Sequence, residues 1–425
     1  MRRRILTPAC PCKQNVPAVA QWDDMQQILA DLERADLRRD QRVVDSPCGP
    51  HVTLAGRRVT CLCSNDYLAL AGEASIRAAA VRAVERWGVG AGASRLVSGT
   101  TGPHVQLEAR LAAFKRCEAA VVTTSGWVAN HVAVGALAGA GDLVLCDKLN
   151  HASILDAARS CGARLRTFAH RDTDRLVRLL ERRRAAHRRC LIVTDSLFSM
   201  DGDFAPLKEL VQIKDAYDAR LLIDEAHATG VIGPAGRGVA ELLGVEERID
   251  ATVGTLSKAL GCVGGFVAGR GVLADVIRNT ARAYIYTTAP PPAICAAAIR
   301  ALDVIRDEPE RRRGVLALAE QLRAALGEAG LPTGQSTSQI VPVILGAANT
   351  ALDVSRKLLD DGFLVPAIRP PTVPPGTSRL RVSLSAGHNS EDVQRFVEAL
   401  ARAMGRVASQ ERSNGHATEG HRESR

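Results

Sequence analysis

A chain of 425 residues, 46% hydrophobic and 24% charged, is long enough for two packed domains and too apolar to be disordered throughout. The formal net charge of +9 does not read as nucleic-acid binding, because the arginines are scattered along helical stretches such as 175–189 and 306–323 beside acidic residues, as on solvated helix faces. No apolar run is long enough to span a bilayer, and the 11 cysteines show no repeated spacing, so reduced thiols in a cytoplasmic protein are expected rather than a disulfide frame or a metal site.

Residues 1–21 hold Arg2 to Arg4 and three prolines but no apolar core, and read as a disordered extension rather than a signal peptide. A helix is predicted over 24–42, from the stripe Met25, Ile28, Leu29, Leu32 and Leu37, and a hairpin around Gly56 over 52–62. Together these make an N-terminal segment, 22–60. A second amphipathic helix, 76–87, stops at Gly88.

A β/α rhythm follows. Short β-branched runs at 119–125, 143–147, 164–170, 190–197, 220–224 and 251–255 alternate with helical stretches at 129–137, 154–161, 174–184 and 207–217. Near-continuous apolar strands separated by helices predict a mainly parallel sheet covered on both faces, within a large domain over 61–306. After a long helix, 291–306, a smaller α/β unit over 307–404 is predicted, with helices at 316–329, 351–359 and 391–404, strands at 339–345, 364–368 and 379–385, and an antiparallel sheet. Residues 405–425 read as a polar, disordered tail.

In such sheets ligands sit at the carboxyl ends of the strands, and the unusual polar residues fall there. Lys258, one of seven lysines, follows a strand in an otherwise apolar, Gly-rich stretch. Desolvation favours a neutral amine, which Schiff-base chemistry requires, so Lys258 is a candidate covalent anchor; by itself the segment admits a surface loop lysine equally. Asp224 ends an earlier strand, where a carboxylate is either a helix cap or, if Lys258 carries pyridoxal phosphate, a partner for the pyridine nitrogen. His227, three residues on, is then placed for the cofactor's phenolic oxygen, or is a satisfied core histidine. Ser125-Gly126-Trp127 opens a helix whose free N–H groups suit a phosphate, with Thr255 and Ser257 adding hydroxyls, and His151 is placed to lie against the ring. The Gly88–Arg95 stretch fits neither dinucleotide nor Walker spacing and reads as a substrate-facing loop.

Taken in order, Ser64-Asn65-Asp66-Tyr67-Leu68, Gly92-Ala93-Ser94-Arg95, His151-Ala152-Ser153, Phe198 to Asp203, Asp224-Glu225-Ala226-His227 and Thr255-Leu256-Ser257-Lys258 resemble the α-oxoamine synthases, over about residues 24–404. The resemblance implies the aspartate-aminotransferase fold (pyridoxal-phosphate fold type I), with a mainly parallel seven-stranded sheet and a smaller C-terminal domain, in a homodimer with active sites at the subunit interface. It implies pyridoxal 5'-phosphate as cofactor, anchored by Lys258, with Asp224 on the pyridine nitrogen, His151 on the ring, Ser199 and His227 at the phenolic oxygen, and Gly126, Trp127 and Thr255 as further holders. It also gives Arg369 to the amino-acid carboxylate, Thr372 to the acyl side, and either Arg38 or Arg39 to the substrate. Trp127 stands where Phe or Tyr is common, and Ser257 where Gly is common. The stretch 367–381 resembles the branch that joins L-alanine to a pimeloyl thioester, on coenzyme A or an acyl carrier protein, in biotin biosynthesis. The alternatives are a sister enzyme using glycine or serine with another acyl-CoA, and a non-catalytic basic binding protein on the same fold.

Overall fold

The computed structural model of the chain describes residues 22–419, so the extension read at 1–21 lies outside the described residues. The first helix spans Asp23–Arg34, not 24–42. Asp36 takes the left-handed conformation and the amides of Leu37 and Arg38 both turn back to the Leu32 carbonyl, which closes the helix and sends the chain off as an extended strap. Strands β1 (His51–Leu54) and β2 (Arg57–Cys61) form the predicted hairpin, with Leu54 opposite Arg57.

Seven strands then build the central sheet: β3 (Ala119–Thr123), β4 (Leu143–Asp147), β5 (Arg164–Phe168), β6 (Cys190–Asp195), β7 (Arg220–Asp224), β8 (Ala251–Thr255) and β9 (Gly265–Gly269). Their order is β3-β9-β8-β7-β6-β4-β5, parallel throughout from β8 to β5, with β9 antiparallel to both neighbours. The six apolar runs of the sequence are all strands. The seventh, β9, hides behind Gly264-Gly265, where glycines mask the apolar Phe266-Val267-Ala268.

Alternation along the strands explains the double burial. Val121, Val144, Leu191, Leu222 and Val253 face one side, under the helices Gly126–Leu137 and Ala152–Ser160. Leu143, Leu145, Ile192, Leu221 and Ile223 face the other, against Leu107, Leu176 and Leu210 of the helices Gly102–Phe114, Thr173–Arg183 and Leu207–Ala216. With both faces dry, the polar residues at the strand ends meet at one edge of the layer.

Helix Pro292–Asp307 leads to a smaller C-terminal domain with helices Glu310–Glu328 and Ala348–Asp360 and strands β10 (Ile340–Gly346), β11 (Phe363–Leu364), β12 (Ala367–Ile368) and β13 (Ser378–Ser383). The single strand expected at 364–368 is two. Pro366, which has no N–H to donate, separates β11, which pairs with β2 of the N-terminal hairpin, from β12, which joins the antiparallel sheet β10-β13-β12. The hairpin therefore completes its sheet with a C-terminal strand. The last helix, Ser390–Glu419, continues past Gly405, where the sequence reads as a tail. Among the described residues all nine cysteines are free and no helix is long and apolar enough to cross a membrane.

Candidate active site

Asp195 and Asp224 end neighbouring parallel strands in direct register, so their side chains emerge side by side on one face. Asp224 is buried and fully engaged at both oxygens: Asn130 Nδ2 donates to Oδ2 at 2.7 Å and the Ala226 amide to Oδ1 at 2.8 Å. Asn130 Nδ2 also donates to Ser153 Oγ at 2.9 Å, which ties the helix Gly126–Leu137 to the start of Ala152–Ser160. Asp195 is buried and accepts the His151 amide at 2.8 Å; burial, and then the adjacent Asp224 charge, push its carboxyl well above the usual range.

His151 caps the helix that follows it. Its Nδ1 accepts the Ser153 amide at 3.3 Å and lies 2.7 Å from Ser153 Oγ, so that nitrogen acts as an acceptor. Burial lowers its pKa in keeping with a neutral ring. Trp127 stands edge-on to it with ring centres 6.0 Å apart.

On the opposite side His227 is buried, its Nδ1 2.7 Å from the Tyr67 hydroxyl, and Gln339 Nε2 donates to its carbonyl at 2.8 Å. Arg381 of β13 organises this wall. Its guanidinium donates to the Tyr67 hydroxyl, Asn65 Oδ1, Ser383 Oγ and the Ser199 carbonyl. All four acceptors are neutral, so a buried positive charge faces the site without a carboxylate partner. Burial first, and then the charges of Lys258 and Arg381, hold the His227 ring far below ordinary histidine basicity.

Lys258 lies among these groups, reached by the charges of Asp224, Asp195 and Arg381, and has no hydrogen-bond or ion-pair partner among the described residues. Burial lowers its amine to about 8 against the partial opposition of the two aspartates. The loop that carries it is fixed: Thr255 Oγ1 accepts the Ser257 amide at 3.1 Å and donates to the Gly264 carbonyl at 2.8 Å. Beside it, Ser125 Oγ caps the helix that starts at Gly126, accepting the Val128 amide. A Cβ at Gly265 would sit 2.4 Å from the Ser125 carbonyl, so only glycine lets that helix start close onto the lysine loop.

A partner-free amine, a buried carboxylate, a neutral histidine cap and an open helix start fit pyridoxal phosphate: the amine for its aldehyde, the carboxylate for its ring nitrogen and the helix start for its phosphate. These side chains come together within one chain. Arg369, Arg39, Arg38 and Thr372 form a separate rim. Arg369 is buried and donates to the carbonyls of Asp36 and Arg38, with its Nε unpartnered. Arg39 donates to the Pro370 carbonyl at 3.1 Å, whereas Arg38 turns away to Glu33 at 2.8 Å. Thr372 is exposed. Sequence reasoning left out Asn130, Asp195 and Arg381 as site residues; the strand-end position of Asp195 is a signal that was there to use.

The chain was compared with known proteins. A model of the family described as aminotransferase class I and II matches residues 57–400. The chain is 48% identical over 380 residues to 8-amino-7-oxononanoate synthase of Anaeromyxobacter dehalogenans, covering 89% of this chain and 95% of that one. It is 49% identical over 377 residues to the enzyme of the same name from Geobacter sulfurreducens, covering 88% and 96%. Among solved structures, serine palmitoyltransferase from S. paucimobilis with a bound PLP adduct superposes at a TM-score of 0.87 and 31% identity, over 93% of this chain and 100% of that one. An 8-amino-7-oxononanoate synthase from Francisella tularensis superposes at 0.70 and 27% identity, over 82% and 99%.

Proposed function

The chain belongs to the aminotransferase class I and II family and, within it, to the α-oxoamine synthases; on that footing we propose that it condenses L-alanine with a pimeloyl thioester, releasing carbon dioxide and the free thiol. The observation that carries the chemistry is Lys258, a partner-free amine lowered to about 8 beside the buried Asp224. The choice of substrates is supported by the relatives' name.

Pyridoxal phosphate, when bound, supplies an electron sink for a carbanion at the amino acid's α-carbon. Lys258 would anchor it, and its Nζ would take the amino acid's α-proton and later return it. An amine that is half neutral near pH 8 is matched to that exchange. Asp224, fixed by Asn130 and the Ala226 amide, keeps a proton on the ring nitrogen. His151 and Trp127 cover one face and exclude water, and Ser199 and His227 serve the phenolic oxygen. Gly126, Trp127 and Thr255 receive the phosphate at the helix start.

Two guanidiniums compete for the amino-acid carboxylate. Arg369 is the expected one, and Arg381 has the advantage that its charge reaches Lys258 while all its acceptors are neutral. Arg39, against Pro370, is the substrate-facing member of its pair, and Thr372 lines the acyl side. The assembly is a homodimer with its sites at the interface. Leu96, Val97, Trp127 and Tyr286 are exposed in the single chain, and helix Arg282–Ile285 packs on both the Arg95–Gly99 turn and helix Gly126–Leu137. The test is carbon dioxide release with alanine, glycine and serine, each paired with pimeloyl-CoA and with its carrier-protein ester. Alanine is expected to dominate; a dominant glycine or serine product would move the chain to a sister branch.

A further inference from the structure

The turn that carries Ser199 is held from two sides. From the small domain, Arg381 donates to the Ser199 carbonyl, Arg379 Nη1 to the Met200 carbonyl at 3.2 Å, and Ser338 Oγ to the Gly202 carbonyl at 2.8 Å. Gly202 has φ +71, and a Cβ there would lie 2.1 Å from the Ile340 carbonyl, so the turn presses directly on β10. From the large domain the hold is His170, with Arg171 beside it on Asp203. His170, just past β5, places Nδ1 3.1 Å from Asp147 Oδ1 and Nε2 3.0 Å from Asp203 Oδ2. The Phe198 ring stands edge-on to it at 4.4 Å.

Asp147 ends β4 and begins the loop to His151, where it also accepts the amides of Leu149 and Arg171, both at 2.8 Å. Asp203 closes the Ser199 turn, its carbonyl accepting the Phe198 amide at 3.0 Å. The imidazole therefore bridges the loops that carry His151 and Ser199. Carboxylates only accept, so both contacts require both ring nitrogens to donate, which only the imidazolium does. A neutral ring keeps one bond and turns a lone pair on the other carboxylate.

We propose that His170 is a positioning residue: as an imidazolium clamped between Asp147 and Asp203 it locks the Ser199 turn to the His151 loop, and so fixes two walls of the cofactor site. That this matters to cofactor binding rests on the roles proposed above for Ser199 and His151; the clamp itself does not. The charged groups facing the ring are Asp147 from β4 and Asp203 from the turn. Arg171 faces Asp203 Oδ2 at 3.0 Å and also donates to Gln335 of the small domain at 2.8 Å. Asp203 Oδ1 is buried without a partner, so loss of the imidazolium leaves this carboxylate dependent on Arg171 alone. The two carboxylates outweigh the cost of burial and raise the histidine to about 9. Because the folded value is raised, the clamp is complete below the ordinary histidine value near 6.5 and is lost as pH rises through about 9.

The test uses the full chain without cofactor, labelled at histidine Cε1 for NMR, with His170→Gln to assign the signal. One histidine is expected to titrate near 9, and in Asp203→Asn, which keeps the histidine, its midpoint is expected to fall by at least about one unit. Hydrogen exchange over 198–203 is expected to quicken about tenfold in His170→Gln at pH 7. It is expected to quicken similarly in the parent protein between pH 8 and 10, after correction for the intrinsic rate. Helix Ala348–Asp360 serves as the unchanged internal standard. A His170 that titrates near 6.5, or exchange over 198–203 indifferent to both the variant and the pH, overturns the clamp. Neither readout involves turnover, so failure of the substrate assignment is distinguishable from failure here.

Discussion

The proposed cofactor wall and the proposed substrate rim are built on opposite principles. In the wall, Asp224, Asn130, Ser153 and Asp195 are buried and, with the more exposed His151, are joined side chain to side chain or to neighbouring amides, on strand ends and helix starts of one continuous core. In the rim, Arg369 and Arg39 are held chiefly by backbone carbonyls of an extended strap and of the loop after β12. A buried network of polar groups tolerates no missing member, whereas a carbonyl at the surface accepts water in place of an arginine. The wall should therefore be intolerant in chemistry, and the rim adjustable in affinity.

The sharpest way to break this contrast is Lys258→Ala. Turnover is expected to fall more than about 10⁴-fold, with loss of the bound cofactor's visible absorption and an unchanged far-UV spectrum. Residual thiol release above a hundredth of the parent rate would remove Lys258 from the chemistry. Next in size is the effect of burial on that amine. With a value of about 8 instead of the ordinary lysine value of 10.5, its neutral fraction at pH 7 is greater by about 300-fold. The apoprotein's rate of capturing pyridoxal phosphate should rise with pH and level off just above 8; a rise continuing toward 10.5 would mean the amine is effectively solvated.

Arg381→Lys keeps the charge but loses the fork that gathers Tyr67, Asn65 and the Ser199 carbonyl. About a tenfold rise in KM for the amino acid is expected, exceeding that of Arg369→Lys. The reverse ranking would give the carboxylate to the rim. The smallest effect separates Arg39 from Arg38. Arg39→Ala should raise KM for the acyl thioester a few-fold with kcat nearly unchanged, and Arg38→Ala, which removes only an exposed pair with Glu33, should stay within about twofold.

Legibility followed the same division. Strand ends, the glycine-rich lysine loop and the helix start at Ser125 were readable because each is a local signal: apolar runs interrupted by residues that have no reason to lie in a core. The strand β9 and the break at Pro366 were not, because each depends on what the segment meets. Phe266 becomes a strand residue by lying between β3 and β8, and β11 exists only because the N-terminal hairpin offers it an edge.

The sequence alone determined the β/α core and its class and singled out Lys258 as a candidate, since periodicity and the placement of polar residues at strand ends follow from local chemistry. Tertiary structure decided which groups act on that lysine. The register that sets Asp195 beside Asp224, the reach of Arg381 from the small domain to Tyr67, and the choice of Arg39 over Arg38 at Pro370 join residues far apart in the chain. Charge and burial at a site are sums over neighbours in space, and no local pattern of the chain contains those sums.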